Sequence, residues 1–403
     1  MSVTIRGLTV TSDQAFRVIC LTHVFPRQQG DAAAPFLLTW ATALRQAGHD
    51  VRVIAPHDQG LDEAGSVAGT PVRWVRYADG PQEVLAYRGE MHRIALRPPF
   101  GPPLLGAFVT ETAATLRRAV RRWRPDVIHV HWWLPGAVIA RLAGVDVPLV
   151  VHLHGTDVGV VENRPYLVRM ARWALRPADR IEAVSSDLVQ RASTALGVTV
   201  DAVNPMPLDL AQFDGAPPAR MSVSAAVPVI LGVGRLIPEK GFRDLVRAVG
   251  GLGRPVILRI VGEGPDRAVL ADLGRSHGVQ LELPGPVAPA DLSAEYVAAD
   301  LVVQPSHGEG FGLVAAEAVL MGCPVVATAT GGAWDLLDRR SLVKPGDVGT
   351  LRARIVQTLS DPDPSTVARA GDRVRELLSC EHAVARTVHG WQEAIRRHRR
   401  QAQ

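Results

Sequence analysis

Short apolar runs that end in polar residues alternate along this chain with amphipathic segments, and the alternation starts twice. It begins at residues 17–25 and begins again near Pro228. A continuous apolar run with no in–out alternation suits a strand covered on both faces, which is the condition of a parallel sheet. Strands of that kind, separated by helices, predict doubly wound sheets of the α/β class. A length of 403 residues is too great for one ordinary core, so two starts of one pattern read as two domains.

In the first half, residues 17–25 read as a strand. Phe36, Leu37, Trp40, Ala41 and Leu44 then recur at helical spacing, and Gly48 is a stop. Residues 51–55, 126–131 and 149–154 read as further strands. In the second half, residues 229–233 are a strand, and Phe242, Leu245, Val246 and Val249 mark a helix face. Residues 256–261 and 301–304 are further strands. Between the halves, residues 214–226 are rich in Pro, Ala and Ser, as a linker is. The expected division is 1–213 for the first domain, 227–385 for the second, and a helix with a basic tail at 386–403 that packs back towards the first.

Charge and apolar content exclude some classes. Apolar residues make up 47% and charged residues 21%, the profile of a globular chain. The net charge of +4 is modest and does not argue for nucleic acid. Residues 1–16 lack the apolar core of a secretion signal, and no apolar run reaches the length of a membrane span. Cys20, Cys323 and Cys380 lack metal-ligand spacing and read as free thiols in a reducing cytoplasm.

In open parallel sheets, ligands sit outside the carboxyl ends of the strands, and two such sheets face to face would frame a cleft. Polar residues at strand ends are therefore the ones to read for chemistry. Gly232 and Gly234 end one strand, where glycine lets backbone approach a ligand closely. Arg235 and Lys240 follow, two cations suited to a departing diphosphate. Residues 305–317 join a strand end to a helix. Gly310 and Gly312 precede its start, where free N–H groups and the helix dipole favour phosphate. Glu309 before the helix and Glu317 within it make sense beside phosphate if each accepts hydroxyls of a sugar.

These residues resemble the carboxyl-terminal domain of the family-four retaining glycosyltransferases of GT-B fold, also called group 1 glycosyltransferases. The resemblance rests on Glu309 and Glu317 with seven residues between them, the stretch after Met321, the pair Gly331 and Gly332, Arg235 with Lys240 and Gly241, and Val261 through Pro265. It implies two Rossmann-like domains and transfer of a hexose-type sugar from a nucleoside diphosphate, with UDP favoured over GDP. It implies retention of configuration and no metal. The nucleoside diphosphate sugar is a co-substrate, and no other cofactor is expected.

By the same resemblance, Arg235 and Lys240 hold the diphosphate beside Gly234, and Glu317 holds the ribose. Glu309 holds the transferred sugar, helped by Gly310, Phe311, Gly312 and Leu313. Gly262, Glu263 and Gly264, with Pro284 and Gly285, flank the base. The chain departs from the family in having Asp335 as the acidic residue after the paired glycines, and Asn204 followed by Pro205 before the linker.

In the first half, His154 with Gly155 and Asp157 resembles the family's active-site histidine motif. A neutral imidazole there bonds a sugar hydroxyl or a phosphate oxygen. His152 is expected on the opposite face of its strand, in a structural role. Gly30, with Asp31, occupies the place of a glycine pair that approaches the donor phosphate. Trp132, Trp133 and Arg88 are candidates for the acceptor side, and residues 81–103 read as a long irregular acceptor loop. Arg117, Arg118, Arg121, Arg122 and Arg124 line a helix read as a solvated face, with docking on an anionic membrane the lesser alternative. Asp361 and Asp363 have the spacing of a metal-binding pair but fall in a Pro-rich turn.

The acceptor is expected to be small and soluble, with a lipid-linked or polysaccharide acceptor as the alternative. A sugar-nucleotide epimerase and a non-catalytic sugar-nucleotide binder are the rival readings of the same motifs.

Overall fold

The computed structural model describes the chain apart from residues 1, 6–7, 12–13, 88–90, 96, 214–226 and 289–290, with backbone alone at 2–5, 8–11, 92 and 93. Arg88 and the linker expected at 214–226 therefore lie outside the described residues. The chain divides into two compact units. The first holds Met1–Val184, Leu188–Asp209 and Leu378–Gln403, and the second holds Ser185–Asp187 and Leu210–Leu377.

The first unit is built on an eight-stranded sheet. Its strands are β1 (Arg17–Leu21), β2 (Asp50–Pro56), β3 (Ala64–Val67), β4 (Thr70–Val75), β5 (Val127–His131), β6 (Leu149–Leu153), β7 (Arg180–Ala183) and β8 (Ala202–Val203). Their order is β8-β7-β6-β5-β1-β2-β4-β3, and only the β3–β4 pair is antiparallel. Every residue of β5 and β6 is buried, the two-sided cover that their unbroken apolar runs predict. The order reverses beside β1, so the connections that leave the carboxyl ends of β1 and β5 run to opposite faces of the sheet, as at a switch point. An antiparallel hairpin, Ser2–Ile5 with Leu8–Thr11, precedes the sheet; the sequence reading assigned it no structure.

Helix α1 (Pro35–Gln46) buries Leu37, Trp40, Ala41, Ala43 and Leu44, the stripe read from the sequence. Helix α2 (Gly101–Trp123) carries the arginine series, and Arg117 donates to the carbonyls of Leu142 and Ala143 at the end of a neighbouring helix. Residues 81–103 are not an irregular loop throughout: Met91–Ala95 is helical and α2 already starts at Gly101. The two prolines after Gly101 occupy the first turn, where a missing N–H costs nothing.

The final helix (Cys380–Gln401) starts six residues earlier than the sequence reading placed it, because the Ser379 side chain caps it by accepting from His382 N–H. Its Trp391 is fully buried, and Thr387 accepts from the Trp40 indole at 3.2 Å. Those contacts assign Leu378–Gln403 to the first unit, so the second unit ends at Leu377 and not at 385.

The second unit has a six-stranded, all-parallel sheet. Its strands are β9 (Val229–Val233), β10 (Ile257–Val261), β11 (Gln280–Gly285), β12 (Leu301–Gln304), β13 (Val325–Thr328) and β14 (Leu342–Val343), in the order β11-β10-β9-β12-β13-β14. Its core gathers Ile230, Leu245, Val246, Leu258, Ile260 and Val303. Here the order reverses between β9 and β12. The two motifs richest in chemistry, those following Val233 and Gln304, leave the sheet at this point.

Candidate active site

In the second unit three strand ends are stitched together by backbone. Gly234 N–H donates to Val261 O at 3.0 Å, Leu236 N–H to Glu263 O at 2.9 Å, and Gly262 N–H to Gly285 O at 2.9 Å. Glycine is required where these loops touch. A Cβ on Gly262 would lie 1.9 Å from Gly234 O, and one on Gly264 would lie 2.4 Å from Leu236 O. Gly262 and Gly264 thus shape the loop that carries Arg235, while Glu263 and Pro284 are exposed beside them.

The loop after β9 also meets the loop after β12. A Cβ on Gly241 would lie 2.0 Å from Pro305 O, and His307 N–H donates to Glu239 O at 2.8 Å. This contact brings together two residues that the sequence assigned separate tasks: Lys240 Nζ donates to Glu309 Oε1 at 2.5 Å. Ser306 Oγ donates to the same oxygen at 2.7 Å. Arg235 lies on the exposed side of the same loop.

Helix α3 (Leu313–Leu320) follows, with Gly312 at its N-cap in the left-handed region (φ 89°) and no side-chain cap. Of its first N–H groups, that of Ala315 is already taken, by Gly312 O at 3.2 Å and Gln304 Oε1 at 3.3 Å, and those of Leu313 and Val314 are left without an intrahelical partner. The paired glycines let a further loop lie on this turn: a Cβ on Gly331 would fall 2.7 Å from Glu309 Cβ, and one on Gly332 would fall 2.6 Å from the Phe311 ring. Glu317, one turn into α3, accepts from Tyr296 Oη at 2.6 Å. Burial raises the Glu317 carboxyl above its ordinary range, and the Tyr296 hydroxyl opposes that rise. Tyr296 itself is buried. The sequence reading missed it; the available signal was an aromatic with a hydroxyl on a short helix directly before β12.

In the first unit, His154 follows β6, and the Asp157 carboxylate accepts from the N–H groups of His154, Gly155 and Val158 through Oδ1 and of Trp133 through Oδ2. Asp157 is buried, and burial raises its carboxyl while those N–H groups oppose the rise. Its lone pairs are used inside the protein, so it braces the turn and does not line an acceptor site. Trp133 is fully buried, with its indole donating to Asp157 O at 2.8 Å. Trp132 is buried as well, stacked on the His154 ring with centroids 4.1 Å apart. Neither offers an open face to a sugar. Gly30 adopts φ 83° with open space around it, in a loop pinned by Arg27, which pairs with Asp31 and Asp58 at 2.6 Å each. The Arg27 guanidinium holds Asp31 at about 2.

The expectation that His152 faces the opposite side of its strand from His154 is overturned. Residues two apart on a strand share a face, and the rings of His152 and His154 stack with centroids 4.9 Å apart. His129 and His131 on β5 join them. His129, His131 and His152 offer nitrogens within 4.8 Å of one another, a grouping able in principle to hold a metal. The hydrogen bonds oppose this. The Trp391 indole, which can only donate, points at His129 Nδ1 at 2.9 Å. A metal on Nε2 would need the proton on Nδ1, facing that donor. Without metal the row is self-consistent: His129 Nε2–H donates to His152 Nδ1 at 3.3 Å, and His152 Nε2–H donates to the Asn204 carbonyl at 2.8 Å. Burial keeps these imidazoles neutral by lowering their pKa values. The Asp363 carboxylate is engaged within the protein: it accepts from Ser365 and Thr366 at the start of a helix and pairs with Arg340.

Comparison with known families matches both units. Residues 227–361 fit the model described as glycosyl transferases group 1, and residues 33–207 fit that of glycosyltransferase family 4. The 2-deoxystreptamine glucosyltransferase of Streptomyces kanamyceticus is 33% identical over 319 residues, covering 70% of this chain and 80% of that protein. The chain belongs to the group 1 glycosyltransferases. Solved structures agree on the fold of this glycosyltransferase. Sucrose-phosphate synthase from Thermosynechococcus elongatus superposes with a TM-score of 0.75 at 20% identity, covering 93% of this chain and 98% of that one. Anabaena HepE in complex with UDP-glucose superposes with a TM-score of 0.66 at 20% identity, covering 92% and 99%. The glycosyltransferase is thus an α/β protein of GT-B type with two Rossmann-like, parallel-sheet domains. Among its described residues no helix is long and apolar enough to cross a membrane.

Proposed function

We propose that this glycosyltransferase moves a hexose from a nucleoside diphosphate to a small soluble acceptor with retention of configuration and without a metal ion. One observation carries the reading: Lys240, Glu309 and Ser306 converge where β9 and β12 part, directly before the start of α3. An ammonium has three donors, and Glu309 takes one, leaving others for diphosphate oxygens. Arg235 adds a second cation. The N–H groups at the start of α3 supply fixed positive potential where negative charge grows as the diphosphate departs. Glu309 then orients hydroxyls of the transferred sugar and Glu317 those of the ribose, and His154 meets a sugar hydroxyl or phosphate oxygen. With cations of the protein itself on the leaving group, the reaction needs no divalent ion.

UDP is the favoured nucleotide, supported by the UDP-glucose that HepE holds. The small acceptor is supported by the relative whose name specifies 2-deoxystreptamine. The free cysteines fit a reducing cytoplasm.

The test is a thermal-shift screen of nucleoside diphosphates and their sugars, since a ligand of the native state raises stability by mass action. Transfer to aminocyclitol acceptors in the presence of chelator follows, with the anomeric configuration of the product read by NMR. Stabilisation by a uridine or guanosine diphosphate and a retained anomer are expected. An inverted product, or activity that vanishes with chelator and returns with metal, would refute the mechanism. Release of an isomerised sugar without acceptor would identify an epimerase instead.

A further inference from the structure

We propose that His131 is a positioning residue: it holds His154 in the tautomer with hydrogen on Nδ1, so that His154 meets its ligand as a neutral donor and not as a base. The inference rests on the reading of His154 given above and adds to it which proton His154 carries and what keeps it there.

His131 Nδ1 and His154 Nε2 are 2.9 Å apart. Two neutral rings sharing such a contact need one donor and one acceptor. Both rings are neutral, because burial and the neighbouring histidines lower their pKa values well below the ordinary one.

Which ring donates is decided at the far side of His131. That ring is fully buried, and its Nε2 has no hydrogen-bond partner. If His131 accepted from His154, its own hydrogen would sit on Nε2 as a buried N–H with no acceptor. Orphaned buried N–H groups are rarer than unfilled acceptors. Placing the hydrogen on Nδ1 avoids this and makes His131 the donor. His154 Nε2 is then the acceptor, and its hydrogen must be on Nδ1. That nitrogen makes no hydrogen bond within the protein among the described residues, and it is not one of the sealed, unpaired atoms. It is the nitrogen left to a ligand.

The surroundings hold this arrangement. The Trp40 ring packs edge-on against both His131 and His129, at 4.9 Å from each. Trp132 stacks on His154 from another side, and its indole is anchored on Thr156 Oγ1 at 3.1 Å. His154 is therefore hindered from rotating to exchange its two nitrogens. A donor N–H at this position selects an oxygen lone pair, whether phosphate or hydroxyl, and has no capacity to take a proton from one.

The test combines a spectroscopic and a kinetic readout on the full chain. Imidazole ¹⁵N spectra of the labelled enzyme, assigned by substitution, are expected to show hydrogen on Nδ1 of both His131 and His154. In His131→Leu, which leaves His154 Nε2 with no donor to accept from, the His154 ring is expected to lose its single fixed tautomer, with ¹⁵N shifts averaged between the two forms, and kcat/KM to fall about tenfold, the scale of one hydrogen bond. His131→Asn, whose amide offers a donor near the place of Nδ1, is expected to retain both the wild-type tautomer and most of the activity. If the Leu variant does not fold, His131→Gln serves, since its amide sits near Nε2 and cannot rescue. Hydrogen on Nε2 of His154 in the wild-type enzyme would overturn the proposal, as would equal activity in the Asn and Gln variants. Full activity in His154→Ala with the expected wild-type spectrum would instead overturn the reading of His154 itself.

Discussion

Lys240 donates to Glu309 across 69 residues of sequence, at 2.5 Å, and Ser306 closes on the same carboxylate oxygen. The cation proposed for a leaving group and the carboxylate proposed for a sugar are thus one unit before any ligand arrives. Each tempers the other: Glu309 dilutes the charge that Lys240 shows to a diphosphate, and Lys240 fixes the rotamer of Glu309.

That coupling makes a kinetic prediction. Lys240→Ala is expected to lower kcat/KM by ~10²–10³-fold, the usual worth of a preorganised donor to a leaving group. Glu309→Gln loses about 1.5–3 kcal/mol with one charged hydrogen bond. The double variant should cost less than the product of the singles, because each single change also disturbs the partner. Steady-state kinetics on the four proteins measure this, and strict multiplicativity would show that the pair does not act together.

Tyr296 yields a second prediction, concerning binding more than turnover. Its hydroxyl is a buried donor to Glu317, and burial already raises that carboxyl. Tyr296→Phe leaves Glu317 without this donor, at a cost of about 1–3 kcal/mol of stability. With Glu317 proposed to hold the ribose, donor affinity should weaken more than kcat changes. Urea unfolding and calorimetric titration with a nucleoside diphosphate read the two effects separately, and unchanged values in both would remove Tyr296 from the site.

The parallel sheets and the family's motifs were legible because each has a short-range signature. Unbroken apolar runs marked β5, β6 and β9, and glycines marked the strand ends. The spacing from Glu309 to Glu317 depends only on a local strand-to-helix turn. The misread residues depend on packing at long range. Trp132 and Trp133 look like sugar platforms until β6 and the turn braced by Asp157 cover them. Tyr296 acquires its role only when its short helix is laid against α3. The pairing of Lys240 with Glu309 follows from the order β9-β12, which no local pattern records. His152 was misplaced for a simpler reason: on a strand, two residues on is the same side.

A third prediction contrasts two glycines. Gly262→Ala puts a methyl 1.9 Å from Gly234 O at φ 141°, against backbone that cannot move aside cheaply. It should cost upwards of about 3 kcal/mol and displace the loop bearing Arg235. Gly30→Ala has open space around it at φ 83°, so only left-handed strain of about 1–2 kcal/mol applies. Thermal unfolding of both variants tests the ranking, and equal losses would mean that the β9 and β10 loops are not in contact in solution.

The last prediction concerns acid. His129, His131 and His152 are fully buried and kept neutral, with pKa values lowered by the loss of water around the ring. In the unfolded chain each returns to about 6.5. Below that pH the unfolded state binds protons that the native state refuses, so stability must fall as pH falls. The contribution is fully present above the unfolded value and is lost between that value and the lowered native one. Each such ring removes about 1.4 kcal/mol per pH unit in this window. Charging one would also set two donors face to face, at Trp391 and His129 or at His129 and His152, so the row resists protonation as a unit. Urea unfolding of the enzyme at a series of pH values should therefore give a free energy that drops steeply from pH 6 to pH 5, with a slope of roughly two protons or more. A flat profile across that window would mean that the histidines take up protons while the protein stays folded. The row of fixed hydrogen bonds would then be absent in solution.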